Sequence, residues 1–166
     1  MSAVISETQV LPALDGVLCQ QLQSFMQENI PLTRAMQIQL NVNDTTLIIK
    51  APLAPNINDK GTGFGGAITS LLTLAGWGWL WLMNSQHDYS REIVIHRSES
   101  IFSLPVKEEI CVICKAPDFS DWRAYQNSLT RKGRARLTLT PNVILSNGEI
   151  AASLDANYVT LKANNN

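Results

Sequence analysis

Residues 56–84 read NINDKGTGFGGAITSLLTLAGWGWLWLMN. The stretch opens as a polar, glycine-rich loop and then runs from Gly65 to Met83 without a charged side chain. Such a run predicts a helix of ~1.5 Å rise per residue, hence about 30 Å long, that is apolar all round and so buried all round. A chain of 166 residues hides an element of that size only by wrapping most of its remaining structure about it. A run of roughly 18 apolar residues also has the length of a membrane span. Against that reading stand Gly65, Gly66, Gly76 and Gly78, the hydroxyls of Thr69, Ser70 and Thr73, and flanks without a basic cluster. No membrane insertion is expected.

Working outward, Leu14, Val17, Leu18, Leu22, Phe25 and Met26 recur at helical spacing, which predicts an amphipathic helix over 13–28 that ends before Pro31. Residues 33–42 and 45–51 flank the polar turn VNDT and read as a hairpin. Beyond the long helix, 92–102 and 108–116 read as strands. Residues 118–131 read as a short inserted helix with a stripe of Trp122, Tyr125 and Leu129, capped by Asp118 or Ser120 and stopped by Gly133. Residues 134–140 alternate as a half-buried strand. SNG at 146–148 turns the chain into a last strand over 149–161, whose shift of phase predicts a bulge, and the tail 162–166 is expected to fray. Short hairpin-like connections between six strand candidates predict a mainly antiparallel sheet with one face on the uncharged helix, an α+β domain spanning 1–166.

The composition narrows the function classes. A formal net charge of −1 and a pI of ≈ 6.1 give no electrostatic footprint for nucleic acid or an anionic membrane. An apolar fraction of 45% with a mean hydropathy of +0.00 excludes a mainly disordered chain. The opening MSAVISETQV lacks a basic region followed by an apolar run, so a cytoplasmic location is expected. Cys111 and Cys114 have C-x-x-C spacing, but EEICVICK reads as a strand, which turns residues three apart to opposite faces; neither a redox pair nor a metal knuckle is expected. No metal or cofactor is implied.

The hinge between loop and helix is the best candidate for chemistry. Asn58 carries an amide donor and acceptor, while Gly61, Gly63, Gly65 and Gly66 let backbone N–H groups face a ligand without obstruction. The unpaired N–H groups of a first helical turn favour an oxygen gaining negative charge, as an oxyanion hole requires. The same glycines equally permit a tight turn and nothing more. GTGFGG matches neither the dinucleotide fingerprint nor a phosphate loop ending in Gly-Lys-Ser/Thr.

The order of hairpin, Asn-containing glycine loop, long apolar helix and antiparallel strands resembles the hot-dog fold of acyl-CoA and acyl-carrier-protein thioesterases. The segment PLAPNINDKGTGFGGAITSLLTLAGWG is similar to that of a small thioesterase-like group also found fused behind an acetyltransferase domain. The likeness covers about residues 30–162. It implies a loop asparagine at Asn58, Phe64 in place of the usual histidine, and at Gly65 the glycine whose N–H polarises the thioester carbonyl. The usual helix acid is replaced by Thr73. Two departures follow, because Phe64 donates no hydrogen bond and Thr73 is no general base near neutral pH.

Asp59 is a candidate for the missing charge or a solvated loop residue. Phe64, Gly66 and Asp59 are candidate substrate contacts, with Phe64 packing on the helix or the acyl chain. Ser70 lacks a nucleophile-elbow setting, and His87 and His96 are read as structural or exposed. Hydrolysis of an acyl thioester is the first expectation. Loss of the acid equally suits decarboxylation of a malonyl thioester, which needs an oxyanion hole but no activated water; a non-catalytic acyl-thioester binder is third. The basic run Arg131, Lys132, Arg134 and Arg136 is a candidate for the pantetheine phosphate or a solvated face. Gly65 and Thr73 are ~12 Å apart along one helix. The resemblance therefore implies a homodimer, extensible to a dimer of dimers, in which Thr73 faces the loop of a second copy and Trp77, Trp79 and Trp81 help fill a shared core. The alternative is a Thr73 hydroxyl bonded to the carbonyl of residue 69.

Overall fold

Asp15 opens the first helix, α1 (Gly16–Asn29), its carboxylate accepting from the Leu18 N–H at 2.9 Å. The helix buries Cys19, Leu22 and Met26 on one stripe. Pro31 follows at the first position of a second helix, α2 (Pro31–Met36), where a missing N–H costs nothing. The computed structural model describes residues 9–89 and 91–162, so of the tail 162–166 only Lys162 lies among the described residues.

The expected strand over 33–42 is thus corrected. Its first half is helical, with the buried Thr33 hydroxyl bonded to the carbonyls of Met26 and Ile30, and Gln37 at φ 56 turns the chain into β1 (Gln39–Asn43). The hairpin to β2 (Thr46–Ala51) forms as expected, with Asp44 at φ 50 in the turn.

The long helix is α3 (Gly65–Gln86). β3 (Arg91–Phe102) returns along it, then β4 (Ile110–Cys114), the inserted helix α4 (Phe119–Lys132), β5 (Arg134–Leu139), β6 (Asn142–Ile144) and β7 (Ile150–Lys162). Asp118 is the α4 N-cap without a side-chain bond, and Gly133 stops the helix at φ 67. Residues 134–144 would make one strand, but Pro141 has no N–H for the ladder and divides it into β5 and β6. All pairings are antiparallel, in the order β1-β2-β4-β6-β7-β3, with β5 beside the second half of β7. The expected change of phase is visible where β6 meets β7, at Val143/Ile144, and a second bulge interrupts β3 at Ile95/Arg97.

This is the hot-dog arrangement, a long helix wrapped by a curled antiparallel sheet. Alternate residues of each strand, among them Leu47, Ile49, Val112, Leu137, Leu154 and Tyr158, face α3 and are buried. From α3 itself come Leu71, Leu72, Ala75, Trp79, Leu80, Leu82 and Met83, each fully buried, and each of the leucines and Met83 stabilises by roughly 1.5–3 kcal/mol relative to exposure. The helix is long and apolar enough to cross a membrane, yet here it forms the core of the sheet.

Two expectations about α3 are corrected. It is not buried all round, because the sheet leaves one side open: Gly66 is exposed, and Thr69, Ser70, Thr73, Trp77 and Trp81 are half-buried along one stripe. Nor does Trp79 face outward. It packs edge-on against Trp122 of α4 and donates its indole N–H to the Thr45 carbonyl, so it fills the core of the chain itself. Trp77 and Trp81 lie under Phe25 of α1, at ring separations of 6.2 and 6.3 Å. The Tyr125 hydroxyl locks α4 in place through Asn84 Oδ1 at 2.8 Å and Thr160 Oγ1 at 2.7 Å.

Candidate functional site

The loop before α3 is tied down from both ends. Asn56 is buried and its side-chain Nδ2 donates to the carbonyls of Met36 and Pro52, while its backbone carbonyl accepts from the Phe64 N–H at 2.7 Å. Gly63 donates its N–H to the Val106 carbonyl at 2.7 Å, joining the loop to the β3–β4 connection. Between these anchors Asn58 builds a turn on itself. Its Oδ1 accepts from the N–H groups of Lys60 and Thr62 at 2.9 and 3.0 Å, and its Nδ2 donates to Thr62 Oγ1 at 2.9 Å. The second hydrogen on Nδ2 has only the Gly63 carbonyl at 3.5 Å, too long for a strong bond. Gly61 completes the turn at φ 75.

The consequence is that Phe64 occupies the N-cap of α3, where Ser, Thr, Asp or Asn usually stands. It makes no capping bond, and the first-turn N–H groups are left without that side-chain partner. A Cβ on Gly66 would lie 2.5 Å from Cε1 of the exposed Phe64 ring, so a side chain there would displace that ring. At Gly65 a Cβ would meet only Phe102, at 3.7 Å, an ordinary contact. Packing within the chain does not require that glycine. Phe64 and Phe102 are 54% and 52% exposed, and Ile57, Ile101 and Leu104 on neighbouring loop and strand are exposed as well. An open helix end ringed by unburied apolar side chains can take an oxyanion or polarised carbonyl attached to an apolar chain.

The model of the family described as "Putative thioesterase (yiiD_Cterm)" matches residues 19–162. The chain belongs to this thioesterase family.

Among solved structures it is similar to a "putative thioesterase" from Shewanella oneidensis, at 29% identity and a TM-score of 0.76, over 87% of this chain and 98% of that one. It is similar also to a Chlorobaculum tepidum protein of unknown function, at 28% identity and a TM-score of 0.83, over 88% and 95% of the two chains. A thioesterase from Haemophilus influenzae shares 10% identity at a TM-score of 0.70, over 94% and 100%, which speaks to the fold alone.

For a member of a thioesterase family the surroundings of Thr73 are informative. Thr73 lies on the half-exposed stripe of α3, and its hydroxyl has no hydrogen-bond partner among the described residues. The local helix bond considered for it is made instead by Ser70, to the Gly66 carbonyl at 2.9 Å. Asp59 pairs with Lys60 at 3.0 Å, both side chains exposed. The His87 Nδ1–H donates to the Met83 carbonyl at 2.8 Å at the far end of α3, and His96 sits exposed on β3. Cys111 and Cys114 do point to opposite faces of β4, the first half-buried and the second fully buried. Burial pushes the Cys114 thiol and the Tyr158 phenol well above their ordinary pKa, so both stay protonated.

Arg134 and Arg136 are exposed on the outer face of β5, away from α3. Register places Arg136 opposite Val159, itself opposite Val94, while the strand position beside Gly65 is Phe102. Eight residues of β3 separate Val94 from Phe102, roughly 25 Å. One copy of the chain therefore does not bring the arginine pair to its own Gly65. Sequence reasoning missed Phe102, which ends a strand of mixed polarity and reaches Gly65 only through the return of β3 along α3.

Proposed function

We propose that the protein hydrolyses the thioester of an acyl group carried on coenzyme A or on an acyl carrier protein. The observation that carries the reading is the uncapped, glycine-built start of α3 inside a thioesterase family chain. The thioester carbonyl accepts from the Gly65 N–H, and the Asn58 Nδ2 hydrogen that makes only the long contact to the Gly63 carbonyl is the second donor. Water adds to the carbonyl carbon and gives up a proton to solvent, the carbonyl oxygen takes up the negative charge at these donors, and the C–S bond then breaks with its electron pair leaving on sulfur, which takes a proton to become the free thiol. Phe64, Phe102 and Gly66 form the wall against which the acyl chain lies.

A second reading is favoured by one observation. No carboxylate stands on the half-exposed stripe of α3, and Asp59 is engaged by Lys60 at the rim. Decarboxylation of a malonyl thioester needs no base to activate water: the C–C bond to the carboxylate breaks, carbon dioxide leaves, and the electron pair becomes an enolate whose oxygen sits at the same N–H. Protonation of the α-carbon then gives the acetyl thioester.

Purified protein incubated with acyl and malonyl thioesters, with free thiol and carbon dioxide both followed, separates the readings. Thiol release marks hydrolysis. Carbon dioxide with the thioester retained marks decarboxylation, and neither product marks an acyl-thioester binding protein.

We propose further that the active unit is a cytoplasmic homodimer, each chain one hot-dog domain. The three free thiols suit a reducing compartment. The half-exposed stripe of α3 and the open edge of β3 suit a two-fold partner, since an unpaired edge with exposed Val94, Ile95, Ile101 and Phe102 is otherwise a liability. Antiparallel pairing of two β3 edges sets the Phe102 end of one copy beside the Val94 end of the other. That would draw the second copy's Arg134 and Arg136 toward the first copy's site, where they would meet the phosphate of the pantetheine arm.

A further inference from the structure

We infer that a groove on the outer face of the sheet, walled by α4, is a nucleotide site. Its volume is ≈ 720 Å³, within the range of about 300–1,000 Å³ typical of small-molecule sites. The floor is the outer face of β5, β7 and β3, so its chemistry follows from register. Arg134 stands opposite Leu161, and Arg136 opposite Val159 with Val94 next in line. Lys132, from the last turn of α4, completes a group of three cations at the groove, none of which is in an ion pair among the described residues. Unpaired cations in a concavity concentrate anions, and two arginines on alternate positions of one strand present their donors on the same side, ~7 Å apart. Carboxylate and phosphate both match the arginine fork, and the higher charge of a phosphate suits a group of three cations.

The other end of the groove has the opposite character. Gly133 turns α4 straight back along β5, so Lys132 lies beside Arg134 and Asp121 lies about 15 Å away, beside Thr138 and Asn157. There Asn157 donates to Thr138 Oγ1 at 3.2 Å and leaves its own Oδ1 buried without a partner. A buried amide oxygen and a carboxylate both seek N–H donors and repel phosphate. Between the ends, Val159, Leu161 and Val94 make an apolar ledge. A ligand that matches carries phosphate at one end, a flat apolar body in the middle and an amino group at the other, which is the chemistry of a nucleotide bearing an exocyclic amine. Two sources share it: the handle of a coenzyme A thioester, in which case the inference rests on the hydrolase reading, and a free nucleotide, in which case it stands apart.

Isothermal titration of the whole protein with coenzyme A, adenosine 3′,5′-bisphosphate, ATP and phosphate-free pantetheine tests it. At least one nucleotide should bind, and Arg134→Gln/Arg136→Gln should weaken that binding by about tenfold or more, the weight of a hydrogen bond to a charged group. Pantetheine should bind the two proteins alike. Coenzyme A binding more tightly than ATP identifies the coenzyme handle, and the reverse order a free nucleotide. No nucleotide binding, or binding unchanged in the double variant with circular dichroism unaltered, overturns the inference. Binding is read without turnover, so a protein that binds nucleotide but cleaves no thioester refutes the hydrolase reading alone. One that cleaves acyl-pantetheine and binds no nucleotide refutes the groove alone.

Discussion

The hydroxyl of Tyr158 donates a 2.8 Å hydrogen bond to the backbone carbonyl of Thr73, reaching it through the space left by the missing side chain of Gly76. A Cβ at residue 76 would lie 2.6 Å from Cε2 and from Cζ of the Tyr158 ring, and nearer still to its hydroxyl. The glycine admits the central strand to the central helix, at the turn that presents the Thr73 hydroxyl. Gly76→Ala should therefore destabilise the protein by about 1–3 kcal/mol, the usual cost of overpacking a core. Tyr158→Phe should cost ~1 kcal/mol, since it removes one neutral hydrogen bond and leaves the ring in place. Urea unfolding of both variants checks the order, and a Gly76→Ala protein as stable as the parent would show that Tyr158 has room to move.

Gly65 offers a test of the oxyanion donor that spares the fold. It is the first residue of α3, where proline is welcome, and Phe64 before it already has the extended backbone (φ −68, ψ 128) that proline demands. Gly65→Pro deletes the N–H and should lower kcat by roughly 10²–10³-fold. Gly65→Ala keeps the N–H and meets only ordinary contacts. If proline and alanine variants turn over at equal rates, Gly65 is no donor.

The Asn58 side chain has two roles to separate, because it holds its own loop as well as offering one free hydrogen. Asn58→Asp keeps the acceptor for the Lys60 and Thr62 N–H groups, and the Thr62 hydroxyl can reverse its bond. Thermal melting should change little while kcat falls by about tenfold or more, the worth of a lost donor to a charged oxygen. Full activity in a folded Asn58→Asp protein would leave the residue with a loop-building role only.

Thr73→Asp places a carboxylate where the half-exposed stripe now has a hydroxyl. If hydrolysis is limited by the lack of a general base, the variant should hydrolyse acyl thioesters faster, by as much as 10²-fold on the scale of general-base catalysis. Release of carbon dioxide from a malonyl thioester should not rise with it. A rate unchanged in the variant would place the attacking water away from residue 73.

Ser70 lies on the same stripe and, among the described residues, its hydroxyl bonds only to the Gly66 carbonyl. A surface substitution there would normally alter stability by less than about 0.5 kcal/mol. Ser70→Arg should instead convert a dimer into a monomer in sedimentation, with activity lost in parallel. A wild-type chain that sediments as a monomer at micromolar concentration removes the two-fold site outright.

The uncharged run after Gly65 is enough to require a wrapped helix, because nothing else in a chain this size hides so much apolar surface. Strand alternation in 134–139, the Gly133 stop and the Trp122, Tyr125 and Leu129 stripe were legible for the same local reason: periodicity reports which side is buried. Residues 33–36 misled because Thr-Arg-Ala-Met has no strong periodicity, and Pro31 with the bonds of the Thr33 hydroxyl decided for helix. Which sides of α3 are covered depends on where the sheet stops, and Trp79, Trp77 and Trp81 went to different surroundings that spacing does not distinguish. The loop glycines marked the helix start, but the meeting of Phe102 with Gly65 and of Tyr158 with Gly76 joins residues from separate elements. Such contacts are set by register and by the curl of the sheet, and the sequence within each element carries no trace of them.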